Sequence, residues 1–242
     1  MTYKETLFFI GKCLTISHEE NNKKIVTESI KNNLVNWDSV VKLSTAHYVF
    51  PALYCNLKRA DLLAYLPKEL VNYMIYITDL NRERNQQIIV QAKELNEVLS
   101  KYHITPIYIK GTGFLLEGLY EDIAERMVGD IDFLFSEKDF EKAIAILLKN
   151  GYEKVDKTTY EYPNFKHYPR LCKEGSVAAI EIHKQLIVET YTEEFNYEIV
   201  SKSTVTIDTF KVLSAPHQLA LCIIAKQIND KGYYYKNMAL RN

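Results

Sequence analysis

From residue 1 to about residue 101 the apolar positions recur in a helical period. Between Arg82 and Tyr102, Ile88, Ala92, Leu95 and Leu99 stand at i, i+4, i+7 and i+11, with Gln, Lys, Glu and Asn between them. Such spacing puts one apolar stripe on an amphipathic helix. A stripe that includes Val41, Ala46 and Val49 predicts helix from Asp38 to Leu57, with Pro51 marking a break or a new first turn. Pro67 precedes a further predicted helix over Leu70 to Leu80. Near His103 the period changes: Ile104, Ile107 and Ile109 predict a short strand, and Pro106 suits its start or an edge.

Gly111 and Gly113 then punctuate the chain before an apolar helix over Phe114–Tyr120, and a second apolar strand carries Asp130 and Asp132 through to Phe135. Of the 8 glycines, Gly111, Gly113, Gly118 and Gly129 fall in this stretch, so unusual backbone is concentrated there. Ser136 with Asp139 resembles a capping box for a helix over Phe140–Lys149, and Gly151 suits its C-cap. Strand patterns follow at Tyr152–Val155, Thr158–Tyr162, Arg170–Lys173, Val177–Ile187 and Val205–Val212, and helix returns from Pro216 to Gln227. The plan is α+β: an N-terminal helical region over 1–102, a mixed sheet with packed helices over 103–213, and a C-terminal helical segment over 214–242.

Bulk properties narrow the function only a little. The 242 residues carry a net charge of −1, which argues against an extensive surface for duplex nucleic acid. The 4 cysteines are scattered without a CxxC, as expected of reduced thiols in a cytoplasmic protein. Leu7–Ile16 is apolar but is interrupted by Lys12 and lacks a small-residue cleavage site. No stretch approaches the ~18–20 apolar residues of a membrane span, so no membrane partner is expected. The 18 tyrosines, including Tyr233–Tyr235, read as amphipathic packing.

The chemistry lies between Ile107 and Phe135. On a strand Asp130 and Asp132 project from one face. Two carboxylates about 5 Å apart at an effective dielectric of about 20 repel by roughly 3 kcal/mol, or about 2 pK units. A hard divalent cation removes that cost; the alternative is a solvated strand end with Lys110 or Arg126 as partner. The turn Lys110-Gly111-Thr112-Gly113 runs from strand to helix, where backbone N–H groups and the helix dipole favour phosphate. It does not have P-loop spacing, and such turns are often only structural. Farther on, Ala179, Glu181 and His183 share a strand face, so Glu181 on an adjacent strand would complete a two-metal site; a solvated sheet face is the alternative. Arg126 stands four residues before Asp130, as a triphosphate or carboxylate partner or a plain surface arginine.

The order Lys-Gly, Tyr, Arg, GDIDFLF, a helix ending in Gly151-Tyr152, and later Glu-Ile-His resembles the uncharacterised bacterial nucleotidyltransferases of the DNA polymerase β superfamily. The N-terminal Trp37-Asp-Ser-Val and Ala46-His47-Tyr-Val-Phe-Pro51 also look like that family's helical region. The resemblance implies a polymerase β-like core that moves a nucleoside monophosphate from an NTP to a hydroxyl or phosphate acceptor and releases pyrophosphate. It implies Mg²⁺ or Mn²⁺ on Asp130, Asp132 and Glu181, which would be the catalytic acids. Lys110, Gly111, Thr112, Arg126 and His183 would then face the nucleotide. Acceptors would be a protein side chain, an RNA end or a small molecule. A non-catalytic nucleotide-binding or interaction module that kept the fold is the competing expectation. Two departures stand out: Gly-Thr replaces the usual Gly-Ser, and Glu181 replaces the more usual Asp. Relatives also tend to continue past Asn242 with more helices, which leaves a short form or a truncation open for the last segment.

Overall fold

The computed structural model describes residues 1–155, 166–187, 193–235 and 240. The chain divides into two compact units, one of residues 1–85, 120–127 and 239–241 and another of 86–119, 128–238 and 242.

The first unit is helical. Helix α1 (Tyr3–Leu14) opens on a capping box between Thr2 and Glu5, and α2 (Glu20–Lys31) follows. In α3 (Trp37–Ala46) the Asn36 side chain accepts from the Ser39 N–H. Tyr48, at φ +57°, turns the chain into α4 (Phe50–Arg59), whose first turn holds Pro51 where its missing N–H costs nothing. The Asp38–Leu57 stripe is thus two helices. The opposite happens next: α5 (Lys68–Ser100) is one helix of 33 residues where two were expected, since no Gly or Pro interrupts it. Phe9, Ile10, Cys13, Val40, Leu53 and Met74 pack in this unit's core.

The segment between the expected phosphate turn and the Asp strand also belongs to this unit. Arg82 grips Asp122 through two bonds of 3.0 and 2.7 Å, and Arg59 grips Glu125 through two of 2.8 and 2.9 Å. Asn81 and Asn85, one helical turn apart, both donate to the Arg126 carbonyl at 3.0 and 2.7 Å. Planar forks and amides of this kind fix a loop that has no regular ladder of its own.

In the second unit the described strands form one mixed sheet in the order β3-β4-β5-β2-β1-β7-β6. Strand β1 (Ile107–Tyr108) leads into α6 (Lys110–Glu117), and β2 (Ile131–Leu134) into α7 (Glu137–Lys149). Then come β3 (Glu153–Lys154), β4 (Leu171–Cys172), β5 (Ile180–His183), α8 (Tyr197–Val200), β6 (Val205–Ile207), β7 (Phe210–Val212), α9 (Ala215–Ile224) and α10 (Gly232–Tyr235). Strand β2 runs antiparallel to β1 and parallel to β5. All 4 of its residues are buried, because both sheet faces are covered.

One face meets the second half of α5, where Ile88, Ala92, Leu95 and Leu99 are buried. Tyr108 donates from its hydroxyl to the Ala92 carbonyl at 2.8 Å and stacks edge-on against Phe133 and Phe210. The alternate residues Ile107, Ile109 and Leu134 pack on the other face with Leu213 and Leu221.

Three strand expectations change. The Val205–Val212 run is a hairpin, folded at Asp208 (φ +52°), a residue type that tolerates the left-handed region. The Val177–Ile187 run shortens to β5 because the Gln91 side chain engages Ala178, donating to its carbonyl at 2.8 Å and accepting from its N–H at 3.0 Å. Thr158–Tyr162 lies outside the described residues. Helix α7 begins at Glu137, ahead of the expected Phe140, with Ser136 as N-cap; there the Ser136 hydroxyl bonds the Asp139 carboxylate and not the backbone. Gly151 follows that helix at φ +88°, a left-handed position suited to glycine.

Candidate metal centre

The parallel register of β2 and β5 places Asp132 opposite Glu181 and Leu134 opposite His183. Period-two alternation then puts Asp132, Glu181 and His183 on one face. Ligand atoms of these three lie within 4.8 Å of one another. His183 Nε2 is 3.0 Å from Asp132 Oδ1 and 3.4 Å from Glu181 Oε2. His183 is 1% exposed and Asp132 7%, so this is an interior cluster and not a solvated strand end. His183 Nδ1 is buried without a hydrogen-bond partner among the described residues.

A cation of the chain itself sits against these atoms. The Lys110 ammonium is 2.5 Å from Asp132 Oδ1, 3.5 Å from Glu181 Oε2 and 3.5 Å from His183 Nε2. Lys110 reaches them from the β1–α6 turn, where its backbone takes φ +54°. A residue with a Cβ held there stores strain, which commonly accompanies a constrained functional position. Burial opposes the charge on Lys110, but the Asp132 and Glu181 carboxylates outweigh it and raise its pKa. For Glu181, burial pushes the pKa up; the His183 hydrogen bond and the Lys110 charge win and hold it well below the usual carboxylate range.

Asp130 has a different partner. It precedes β2, and its carboxylate is paired with Arg170, whose Nε is also 3.6 Å from Glu181 Oε1. The hydrogen bond to Asp130 is the leading cause of a raised Arg170 pKa. No sequence pattern marks Arg170 as a site residue, nor Lys166, whose pKa is lowered first by burial and next by the charge of Lys110. Both belong to Lys166-His167-Tyr-Pro-Arg170, a polar stretch with no period to mark it. It lies beside β5 through a His167–His183 bridge and a 2.8 Å bond from the Tyr168 N–H to the Ile182 carbonyl.

Residues 110–113, expected as a turn ahead of a helix over Phe114–Tyr120, are themselves the first turn of α6, which no side chain caps. Thr112 is buried, and its hydroxyl donates to the Asp130 carbonyl at 3.0 Å, joining that helix to the Asp strand. Gly113 is needed for close approach: a Cβ there would meet Gln218 Nε2 at 2.5 Å and the Tyr108 carbonyl oxygen at 3.0 Å. The structure therefore gathers Lys110, Asp132, Glu181 and His183 in direct contact and ties Asp130 in through Arg170. Arg126 falls in the first unit, buried, with its carbonyl held by Asn81 and Asn85.

The donor set is of the kind that holds a small divalent ion, two carboxylate oxygens and an imidazole nitrogen around a position that already attracts a cationic group. No helix among the described residues is long and apolar enough to cross a membrane. A comparison with curated proteins gave no match. Among solved structures the chain is similar to a candidate nucleotidyltransferase from Thermotoga maritima, at 15% identity and a TM-score of 0.45, over 62% of this chain and 92% of that one. The family model described as uncharacterised nucleotidyltransferase matches residues 33–242, which takes in the first unit's helices from Trp37 onward and the whole acid, lysine and histidine cluster. With most of its length matched by that model, the chain belongs to the uncharacterised nucleotidyltransferase family.

Proposed function

We propose that this chain transfers a nucleoside monophosphate from an NTP to a hydroxyl or phosphate acceptor. The new bond joins acceptor oxygen to Pα, the Pα–O bond to the leaving group breaks, and pyrophosphate departs. The observation that carries the reading is the convergence of Asp132 and Glu181 across β2 and β5, beside the strand-to-helix turn of Lys110. Asp130, Asp132 and Glu181 would hold Mg²⁺ or Mn²⁺, which when bound supplies charge neutralisation at the attacking and leaving oxygens. Glu181 is the residue we assign to receive the acceptor's proton. Burial opposes its charge, but the His183 hydrogen bond and the Lys110 ammonium keep it ionised and so able to accept that proton.

Lys110, Gly111 and Thr112 open α6, where the helix dipole favours the triphosphate. Lys110 neutralises Asp132 and is itself the first residue of that helix. The near-zero net charge supports a protein side chain, an RNA end or a small molecule as acceptor over long duplex nucleic acid. The free cysteines support a cytoplasmic setting.

A non-catalytic nucleotide-binding module has one observation in its favour: Lys110 and Arg170 already neutralise the acids. Incubation with α-³²P-NTP, Mg²⁺ or Mn²⁺ and cell extract separates the two. Label should pass to a protein, RNA or small-molecule fraction and be lost in Asp132→Asn. Nucleotide binding without transfer in the wild-type protein would favour the module, and transfer that survives Asp132→Asn would refute the assignment of the site.

A further inference from the structure

The acids of this centre do not stand alone, and the third donor decides which ion they suit. We propose that Asp132, Glu181 and His183 together bind one first-row transition dication, of the manganese(II) to zinc(II) series, in preference to magnesium. The inference rests on the reading of this cluster as the chain's metal centre and names the class of ion it takes.

The distances within the cluster support a small ion with a nitrogen ligand. Bonds of about 2.0–2.2 Å set two donors about 3.0 Å apart at a right angle and about 3.4 Å apart at a tetrahedral angle. His183 Nε2 lies 3.0 Å from Asp132 Oδ1 and 3.4 Å from Glu181 Oε2, so both edges match without movement of the strands. Calcium is disfavoured by the donors and not by the edges, since it takes about 6–8 oxygen ligands and one of the three here is an imidazole nitrogen. A simple His–Asp hydrogen bond would account for the shorter separation. It would not bring a second carboxylate to the same nitrogen, or set an ammonium against all three donor atoms as Lys110 does.

The chemistry of the donors then selects among small ions. Magnesium takes oxygen ligands and keeps its waters, whereas imidazole suits the later first-row metals. His183 is 1% exposed and cannot swing into solvent to leave an all-oxygen centre. Its Nδ1 finds no acceptor among the described residues, so the ring lacks the outer partner that usually strengthens a ligating histidine. With Lys110 also competing for Asp132, affinity should be moderate while selectivity is retained.

Manganese is the most demanding probe, because it binds weakest in the series. Full-length protein is titrated with Mn²⁺ while free Mn²⁺ is followed by its EPR signal, first alone and then against Mg²⁺. The expected result is a preference for Mn²⁺ over Mg²⁺ of roughly tenfold or more. Pulsed EPR of the wild-type complex should show ¹⁴N coupling from a directly bound imidazole, a readout that does not depend on any variant folding. His183→Gln, checked for a wild-type circular dichroism spectrum, should lose the ¹⁴N signal and weaken Mn²⁺ about 10-fold or more while Mg²⁺ changes less. Bound Mn²⁺ without ¹⁴N coupling, or equal affinity for the two ions, overturns the proposal. Nucleotidyl transfer with Mg²⁺ and no ¹⁴N coupling would sink this inference and leave the proposed function standing; ¹⁴N coupling without transfer under any metal would do the reverse.

Discussion

Lys110 is the residue whose replacement tests the electrostatics of this centre most directly. Lys110→Met keeps the length of the stem and removes the charge 2.5 Å from Asp132 Oδ1 and 3.5 Å from Glu181 Oε2. What remains is two carboxylates with ligand atoms no more than 4.8 Å apart, both largely buried. At that separation and an effective dielectric of about 20 they repel by about 3.5 kcal/mol, or about 2.5 pK units. That agrees with the roughly 3–5 kcal/mol measured when one partner of a buried pair is removed. In EDTA at neutral pH the variant should therefore unfold about 3 kcal/mol more easily. For a chain of this size that is a fall in Tm of about 6–12 °C. A dication in place of the ammonium should restore it: Mn²⁺ at about 100 times its Kd returns about 2.7 kcal/mol. Urea unfolding followed by circular dichroism, with EDTA and with Mn²⁺, measures both numbers. The metal-dependent gain should be larger in the variant than in the wild type, where Lys110 competes. A variant as stable as wild type in EDTA, or a loss that Mn²⁺ does not repair, would refute the assignment of Lys110 as the counter-charge of these acids.

Other outcomes follow from the two units separately. Gly113→Ala drives a methyl group against the fixed Tyr108 carbonyl and the buried Gln218 amide, and should cost about 1–3 kcal/mol in the same urea assay. Asp122→Asn loosens the Arg82 fork and the cap on the Ala124 N–H, for about 1–2 kcal/mol at pH 7. The Arg82 bond holds the Asp122 pKa below its usual value. Its contribution is complete above pH about 4 and is lost as pH falls through the folded-state pKa, so wild type and variant should converge in acid. Burial pushes the Cys55 thiol up to about 12, and Cys13 is also raised by burial, whereas Cys172 is exposed. A thiol reagent at pH 7.5 should label Cys172 quickly and reach Cys13 and Cys55 only in denaturant; equal rates would contradict the burial of the two N-terminal thiols.

Local pattern was enough for a good part of this. The stripe Ile88, Ala92, Leu95 and Leu99 is the buried face of α5, as its spacing required, and alternation alone puts Glu181 and His183 on one side of β5. Two features depart from local pattern: α5 runs unbroken because no Gly or Pro separates its two apolar stretches, and at 205–212 one Asp in a left-handed turn reverses a strand without a glycine to announce it. Arg170 was invisible for another reason. Its partner Asp130 is far away in sequence, and only the sheet, in which β5 lies between β4 and β2, brings them together.

The chain by itself determined its secondary structure in outline, its mixed α+β class and the candidate acids, because helical and strand periods and the chemistry of side chains are local properties. Tertiary structure alone decided which charges neutralise which. The parallel register of β2 and β5 set Asp132 beside Glu181 and His183, the left-handed turn at Lys110 delivered an ammonium to them, and Arg170, just ahead of β4, claimed Asp130. Coulomb energy depends on distance in space, and the pattern of residues along one strand carries no record of what the adjacent strand will bring.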